Sequence, residues 1–83
     1  MKTIVITGST RGIGRGLATE FLKRGCNVVI SGRTADTVER ALAELRRDFP
    51  AGRIAGHLCD VTDISQVQSL WDAAVAAFGQ VDI

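Results

Sequence analysis

A chain of 83 residues allows one small domain or a piece of a larger one, and 46% apolar with 23% charged residues is the balance of an ordinary globular protein. A formal net charge of +1 gives no support for nucleic acid or an anionic membrane as the main partner. Cys26 and Cys59 form no CxxC or other metal-ligand spacing, so both read as small buried apolar residues. Met1-Lys2 passes at once into strand-like residues, leaving no room for a secretory signal, and no apolar run approaches the roughly 18 residues of a membrane span. A reducing, cytosolic setting is expected.

Thr3-Ile4-Val5-Ile6-Thr7 is a β-branched run ending in glycine, which predicts a buried strand. From Gly12 the period changes: Ile13, Leu17 and Phe21 recur at helical spacing, and Gly25 stands where a helix C′ residue belongs. Asn27-Val28-Val29-Ile30-Ser31 predicts a second buried strand. Thr34 then suits the N-cap of a second helix, with Asp36 placed near the positive end of its dipole. Val38, Ala41, Leu42, Leu45 and Phe49 make that helix's apolar stripe, and Pro50 and Gly52 end it. Arg53 to Cys59 is a third strand, weakened by Gly56. Thr62 is expected to cap a third helix with Ile64, Val67, Trp71, Ala74 and Phe78 on its inner face. Gly79 stops it, and Val81-Asp82-Ile83 begins a fourth strand.

Strand and helix alternate throughout, with short connections and no linker or repeat. This predicts an α/β fold of Rossmann type over residues 1–83: a parallel sheet in a three-layer αβα sandwich, present as β-α-β-α-β-α and the start of a fourth strand. Right-handed crossovers put the first two helices on one face if the strands step outward in the order 3-2-1. The third helix must then cross the opposite face to reach a position beside strand one. That reversal makes the crevice in which such sheets bind nucleotides. With only the opening of strand four present, the edge of strand one is uncovered, so the isolated 83 residues are expected to be poorly stable or to aggregate.

The turn after strand one reads Thr7-Gly8-Ser9-Thr10-Arg11-Gly12-Ile13-Gly14. Gly8 lets the chain leave the strand sharply, Gly12 lets backbone approach a pyrophosphate, and Gly14 allows close packing of helix on sheet. The N–H groups of the first helical turn then face the negative charge, with Ser9 and Thr10 adding hydroxyl donors. The GxGxxG spacing is absent, since its third glycine would fall on Leu17. The spacing present resembles the TGxxxGIG motif of the short-chain dehydrogenase/reductase family, and the resemblance runs along the whole chain. It implies a nucleotide pocket in which Asp60 and Val61 hold adenine, the carboxylate accepting from the amino group and the next backbone meeting the ring. Gly79-Gln80-Val81-Asp82-Ile83 is similar to the stretch that leads into the family's Asn-Asn-Ala-Gly segment.

The end of strand two separates NAD from NADP sites, because an NAD site carries a carboxylate for the ribose 2′-hydroxyl about 20 residues beyond the glycines. Here Ser31, Gly32 and Arg33 occupy that place. Arg33 offers a planar fork for a 2′-phosphate, Arg11 can approach from the other side, and Ser31 and Thr34 supply hydroxyls. The expected cofactor is NADP(H) in preference to NAD(H).

The lone His57 reads as a core or surface histidine, and Arg40, Arg46 and Arg47 share a solvated helix face with Glu39, Glu44 and Asp48. Trp71 and Phe78 are expected in the core. The family resemblance implies hydride transfer between a nicotinamide and a carbonyl or alcohol, with a Tyr-x-x-x-Lys pair as acid/base and a serine on the carbonyl. This chain has no tyrosine, and neither Lys2 nor Lys23 fits that pattern. Full-length relatives are commonly dimers or tetramers, so a complete protein is expected to be a homo-oligomer. Three readings follow: the cofactor-binding, N-terminal portion of an NADP-dependent reductase; a non-catalytic nucleotide-binding or interaction module; and a piece of another Rossmann-like enzyme, such as a methyltransferase. The third is disfavoured because strand two lacks an acidic ribose ligand.

Overall fold

The computed structural model of the chain describes residues 2–8 and 12–82. In chain order the elements are β1 (Thr3–Ile6), α1 (Gly12–Lys23), β2 (Asn27–Gly32), α2 (Ala35–Asp48), a 3₁₀ turn (Ala51–Arg53), β3 (Ile54–Leu58) and α3 (Ile64–Phe78). The strands form one parallel sheet in the order β1-β2-β3. Register runs from Thr3 opposite Asn27 to Ile6 opposite Ile30, and from Val28 opposite Ile54 to Gly32 opposite Leu58. The expected Rossmann-type topology is therefore present, with β2 in the middle.

Side-chain alternation along β2 separates two cores. Val28 and Ile30 pack with Ala18 and Leu22 of α1, Ala41 and Leu45 of α2, and Ile54 of β3. Val29 faces the other way, onto Leu70 and Ala74 of α3 and Cys59. Helices thus cover both faces, which is why β2 reads as a continuous apolar run. Across the first two helices, Arg15 and Glu44 form an ion pair at 3.1 Å.

Two helix faces differ from expectation. On α1 the buried residues are Ala18 and Leu22, whereas Ile13 is 86% exposed and Leu17 is also exposed. On α3 the buried pair is Leu70 and Ala74, with Phe78 packed alongside; Ile64 is 85% and Trp71 50% exposed, and Val67 is exposed too. Ala74 and Phe78 face inward as expected, while Leu70 replaces Trp71 on α3 and Ala18 with Leu22 replaces Ile13 and Leu17 on α1; the wholly buried Ala18 and Ala74 bring their helices close to the sheet. Trp71 is not a core residue.

The helix ends follow local chemistry. Gly25 donates to Leu22 and Cys26 donates to Phe21, the paired bonds of a Schellman motif closing α1. Thr34 caps α2 as expected, its hydroxyl accepting from the Thr37 N–H. Phe49, preceding Pro50, turns extended and ends α2. Asp63, not Thr62, is the N-cap of α3: its carboxylate accepts from the Ser65 N–H at 2.9 Å, while Thr62 is held by Asp60.

Arg53 falls in the 3₁₀ turn rather than in β3. Its guanidinium donates to the carbonyls of Leu22 and Cys26 at the C-terminal end of α1, where a cation also suits the helix dipole. Beyond α3, Val81 and Asp82 have no strand assignment and Ile83 lies outside the described residues. Asp82 nonetheless lies against β1, donating its N–H to the Thr3 carbonyl at 2.9 Å and accepting from the Thr3 N–H through Oδ2 at 2.8 Å.

Gly56 lies inside an unbroken β3, paired with Ile30 of β2, and packing accounts for it. A Cβ there would sit 2.7 Å from Val38 Cγ1 and 2.8 Å from Leu42 Cδ1, so the glycine admits α2 to the sheet. Gly56→Ala should lower stability in denaturant titrations by about 1–3 kcal/mol, the usual range for overpacking a core. Unchanged stability would mean that α2 shifts without cost.

Candidate nucleotide site

The C-terminal ends of the three strands open into a cavity of about 510 Å³, within the ordinary range for small-molecule sites. Thr7 and Gly8 enter it after β1, Gly32 to Thr34 after β2, and Cys59 and Val61 after β3. Thr37, one turn into α2, completes the wall. Parallel strands deliver three loops to one end of the sheet, and the Cys59 N–H donates to the Gly32 carbonyl at 2.9 Å to hold the second and third together.

Gly8 and Gly12 have φ of 61° and 68°, the left-handed region that disfavours residues with a Cβ. At Gly8 this conformation goes with the sharp exit from β1. Ser9, Thr10 and Arg11, between them, lie outside the described residues. Ile13 and Gly14 fall in the first turn of α1, not in the cavity wall.

Arg33 and Thr34 reach the cavity as expected, but Ser31 does not. It is fully buried, and its hydroxyl donates to the Ile6 carbonyl at 2.9 Å, tying β2 to β1. Arg33 is exposed and forms no ion pair or hydrogen bond among the described residues, so its guanidinium is available to a ligand. Thr37 donates its hydroxyl to the Thr34 carbonyl at 3.0 Å, and the two hydroxyl oxygens lie 2.8 Å apart. Sequence reading passed over Thr37, although its place three residues after the cap puts it above Thr34 on the same helical face.

Asp60 sits beside Val61 in a loop with nearly every polar group assigned. Its Oδ1 accepts from the N–H and hydroxyl of Thr62, at 3.0 and 2.8 Å. Its carbonyl accepts from the Asp63 N–H, and its own N–H donates to Gln66 Oε1 at 2.8 Å. The Thr62 N–H and hydroxyl, aided by the Arg33 charge, hold the Asp60 carboxyl below the ordinary aspartate range. It is thus an ionised acceptor at neutral pH, with Oδ2 accepting no hydrogen bond among the described residues. Burial, then the neighbouring Asp60 and Asp63, push the Cys59 thiol up, so this wall of the cavity is uncharged.

The cavity wall offers glycine backbone from the first loop and, from the second, the Arg33 guanidinium without a hydrogen-bond partner among the described residues. Asp60 is not one of the lining residues; it stands between Cys59 and Val61, which are. The described residues contain no group of three or more metal-ligating side chains. No described helix is long and apolar enough to cross a membrane.

Comparison with known proteins shows what the chain resembles. Chlorophyll(ide) b reductase NOL, chloroplastic, of Oryza sativa subsp. japonica is 45% identical over 80 residues, covering 96% of this chain and 23% of that protein. A Caenorhabditis elegans short-chain dehydrogenase/reductase of unknown function, solved with cofactor, superposes with a TM-score of 0.90 at 30% identity, over 98% of this chain and 30% of that one. The F189W actinorhodin polyketide ketoreductase, solved with NADPH, gives a TM-score of 0.88 at 33% identity, again over 98% of this chain and 30% of that one. This chain therefore spans about a quarter to a third of these proteins. The short chain dehydrogenase family model matches residues 2–83, and the chain belongs to that family of oxidoreductases.

Proposed function

We propose that the chain is the NADP(H)-binding portion of a reductase that moves hydride between NADPH and a carbonyl or alcohol. The observation that carries the cofactor choice is Arg33, unpaired and lining the cavity at the end of β2, where an NAD site would need a carboxylate. A guanidinium there binds a 2′-phosphate through two parallel charge-assisted hydrogen bonds. Thr34 and Thr37 add hydroxyls to the same wall. The ketoreductase solved with NADPH and an L-sorbose reductase of Gluconobacter frateurii solved with NADPH and L-sorbose lend support from related chains.

Asp60 and Val61 would hold adenine, Arg33 and Thr34 the 2′-phosphate, and the turn from Gly8 through Ser9, Thr10, Arg11, Gly12 and Ile13 to Gly14 the pyrophosphate. When bound, the nicotinamide supplies or accepts the hydride. The acid/base pair belongs to the complete protein, since these 83 residues include no tyrosine. A homo-oligomer is the assembly this reading expects, on family resemblance alone. The two cysteines are unpaired, which supports a reducing setting such as the cytosol.

In the full-length protein NADPH should bind more tightly than NADH. Arg33→Ala should weaken NADPH by roughly ten- to a hundredfold, the range for a lost hydrogen-bonded charge, and leave NADH nearly unchanged. Calorimetric titration of both cofactors decides it: equal affinities beforehand, or equal losses afterwards, would sink the 2′-phosphate role. A carboxyl NMR titration should place the Asp60 midpoint below the ordinary 3.8. Because the folded value is lowered, this group's contribution is complete above the ordinary value and is lost as pH falls through the lowered one. Thr62→Val, which removes one donor, should raise the midpoint; no movement would show that the hydroxyl does not hold the carboxylate.

A further inference from the structure

Asp63-Ile64-Ser65-Gln66 has the spacing of a capping box, in which the side chain at the third helical position turns back to the N–H of the N-cap residue. Here that exchange is diverted. The Asp63 N–H already donates to the Asp60 carbonyl at 3.0 Å, so the N-cap donor is spoken for. Gln66 Oε1 reaches past it to the Asp60 N–H at 2.8 Å, six residues back, while Nε2 lies 3.4 Å from Asp63 Oδ2. The side chain thus spans the loop between β3 and α3, which a capping box would leave alone.

Every polar group of Asp60 except Oδ2 is then fixed from the loop or from the first turn of α3: N–H by Gln66, carbonyl by Asp63, Oδ1 by Thr62. Of these anchors Gln66 is the one that comes from the body of α3. That helix is seated on the sheet through Leu70, one turn further on. We infer that Gln66 is a positioning residue for the nucleotide site, transmitting the seating of α3 to Asp60 and so fixing where the Asp60 carboxylate meets an adenine amino group. The inference rests on the nucleotide reading above and adds to it a residue that touches no ligand.

The test is Gln66→Leu in the full-length protein, with 5′-AMP and nicotinamide mononucleotide as probes of the two halves of the cofactor. Loss of the Asp60 anchor should weaken 5′-AMP roughly fivefold, the scale of one hydrogen bond, and leave nicotinamide mononucleotide unchanged. Amide exchange at Asp60 should quicken while Leu70 and Ala74 stay protected. In an Asp60→Ala background the same substitution should cost 5′-AMP nothing further, because coupled residues act as a unit. Equal losses for both probes, an additive loss in that background, or an Asp60 amide that exchanges as before would each overturn the positioning role. Wild-type protein that ignores 5′-AMP, NADPH and NADH alike would instead bring down the nucleotide reading, and this inference with it.

Discussion

Five consecutive residues of β2, Val28 to Gly32, are buried between two helical layers, and that burial leaves the chain little freedom elsewhere. Fully burying a valine or isoleucine contributes about 1.5–3 kcal/mol, and strand alternation commits Val28 and Ile30 to one face and Val29 to the other. A slip of one residue would exchange those faces and set the whole run against the wrong helices. With the register pinned, Gly32 ends opposite Leu58, and the loops carrying Arg33 and Asp60 emerge side by side. The cavity is thus a consequence of how the sheet is packed. Its charged residues occupy positions that the apolar core has already set.

What was legible from sequence is what local rules decide. The β-branched runs marked the first two strands, the third was read more weakly because of Gly56, and Thr34 marked the start of α2 through its own side chain. Positive φ at Gly8 and Gly12 matches the turn that the glycine spacing demanded. Helix faces were less legible, because α1 and α3 each present two apolar stripes. Nothing in periodicity says whether Trp71 or Leu70 goes inward beside Ala74. Close approach to a sheet favours the smaller residue, and that is a tertiary preference. The cap of α3 failed for a related reason: Thr62 and Asp63 are both good caps, and Asp60 settled the choice by taking Thr62 for itself.

Arg33, Thr34 and Val61, which line the cavity, could be found by position relative to strand ends. Ser31 could not be sorted the same way, since adjacent residues of a strand point to opposite sides and the burial of its hydroxyl depends on β1. Thr37 and Cys59 lacked a motif, Gln66 belongs to a capping-box spacing whose usual bond it does not make, and the roles of all three arise from neighbours brought near by folding. The electrostatic pattern belongs to that second group. Asp60 is held ionised and Cys59 neutral by hydrogen bonds and burial, and the same loop therefore offers a charged acceptor and an uncharged wall within two residues.

Arg53 bears on how the molecule comes together. Its guanidinium occupies the carbonyls of Leu22 and Cys26, 31 and 27 residues away, and joins the end of α1 to the entry of β3. A β1-α1-β2 unit on its own would keep the Gly25 N–H on the Leu22 carbonyl but would lose Arg53 from both carbonyls and Ile54 from its core. Docking of the third strand therefore adds a second anchor to the end of α1, and the local stability of the first strand-helix-strand unit depends in part on a residue beyond it.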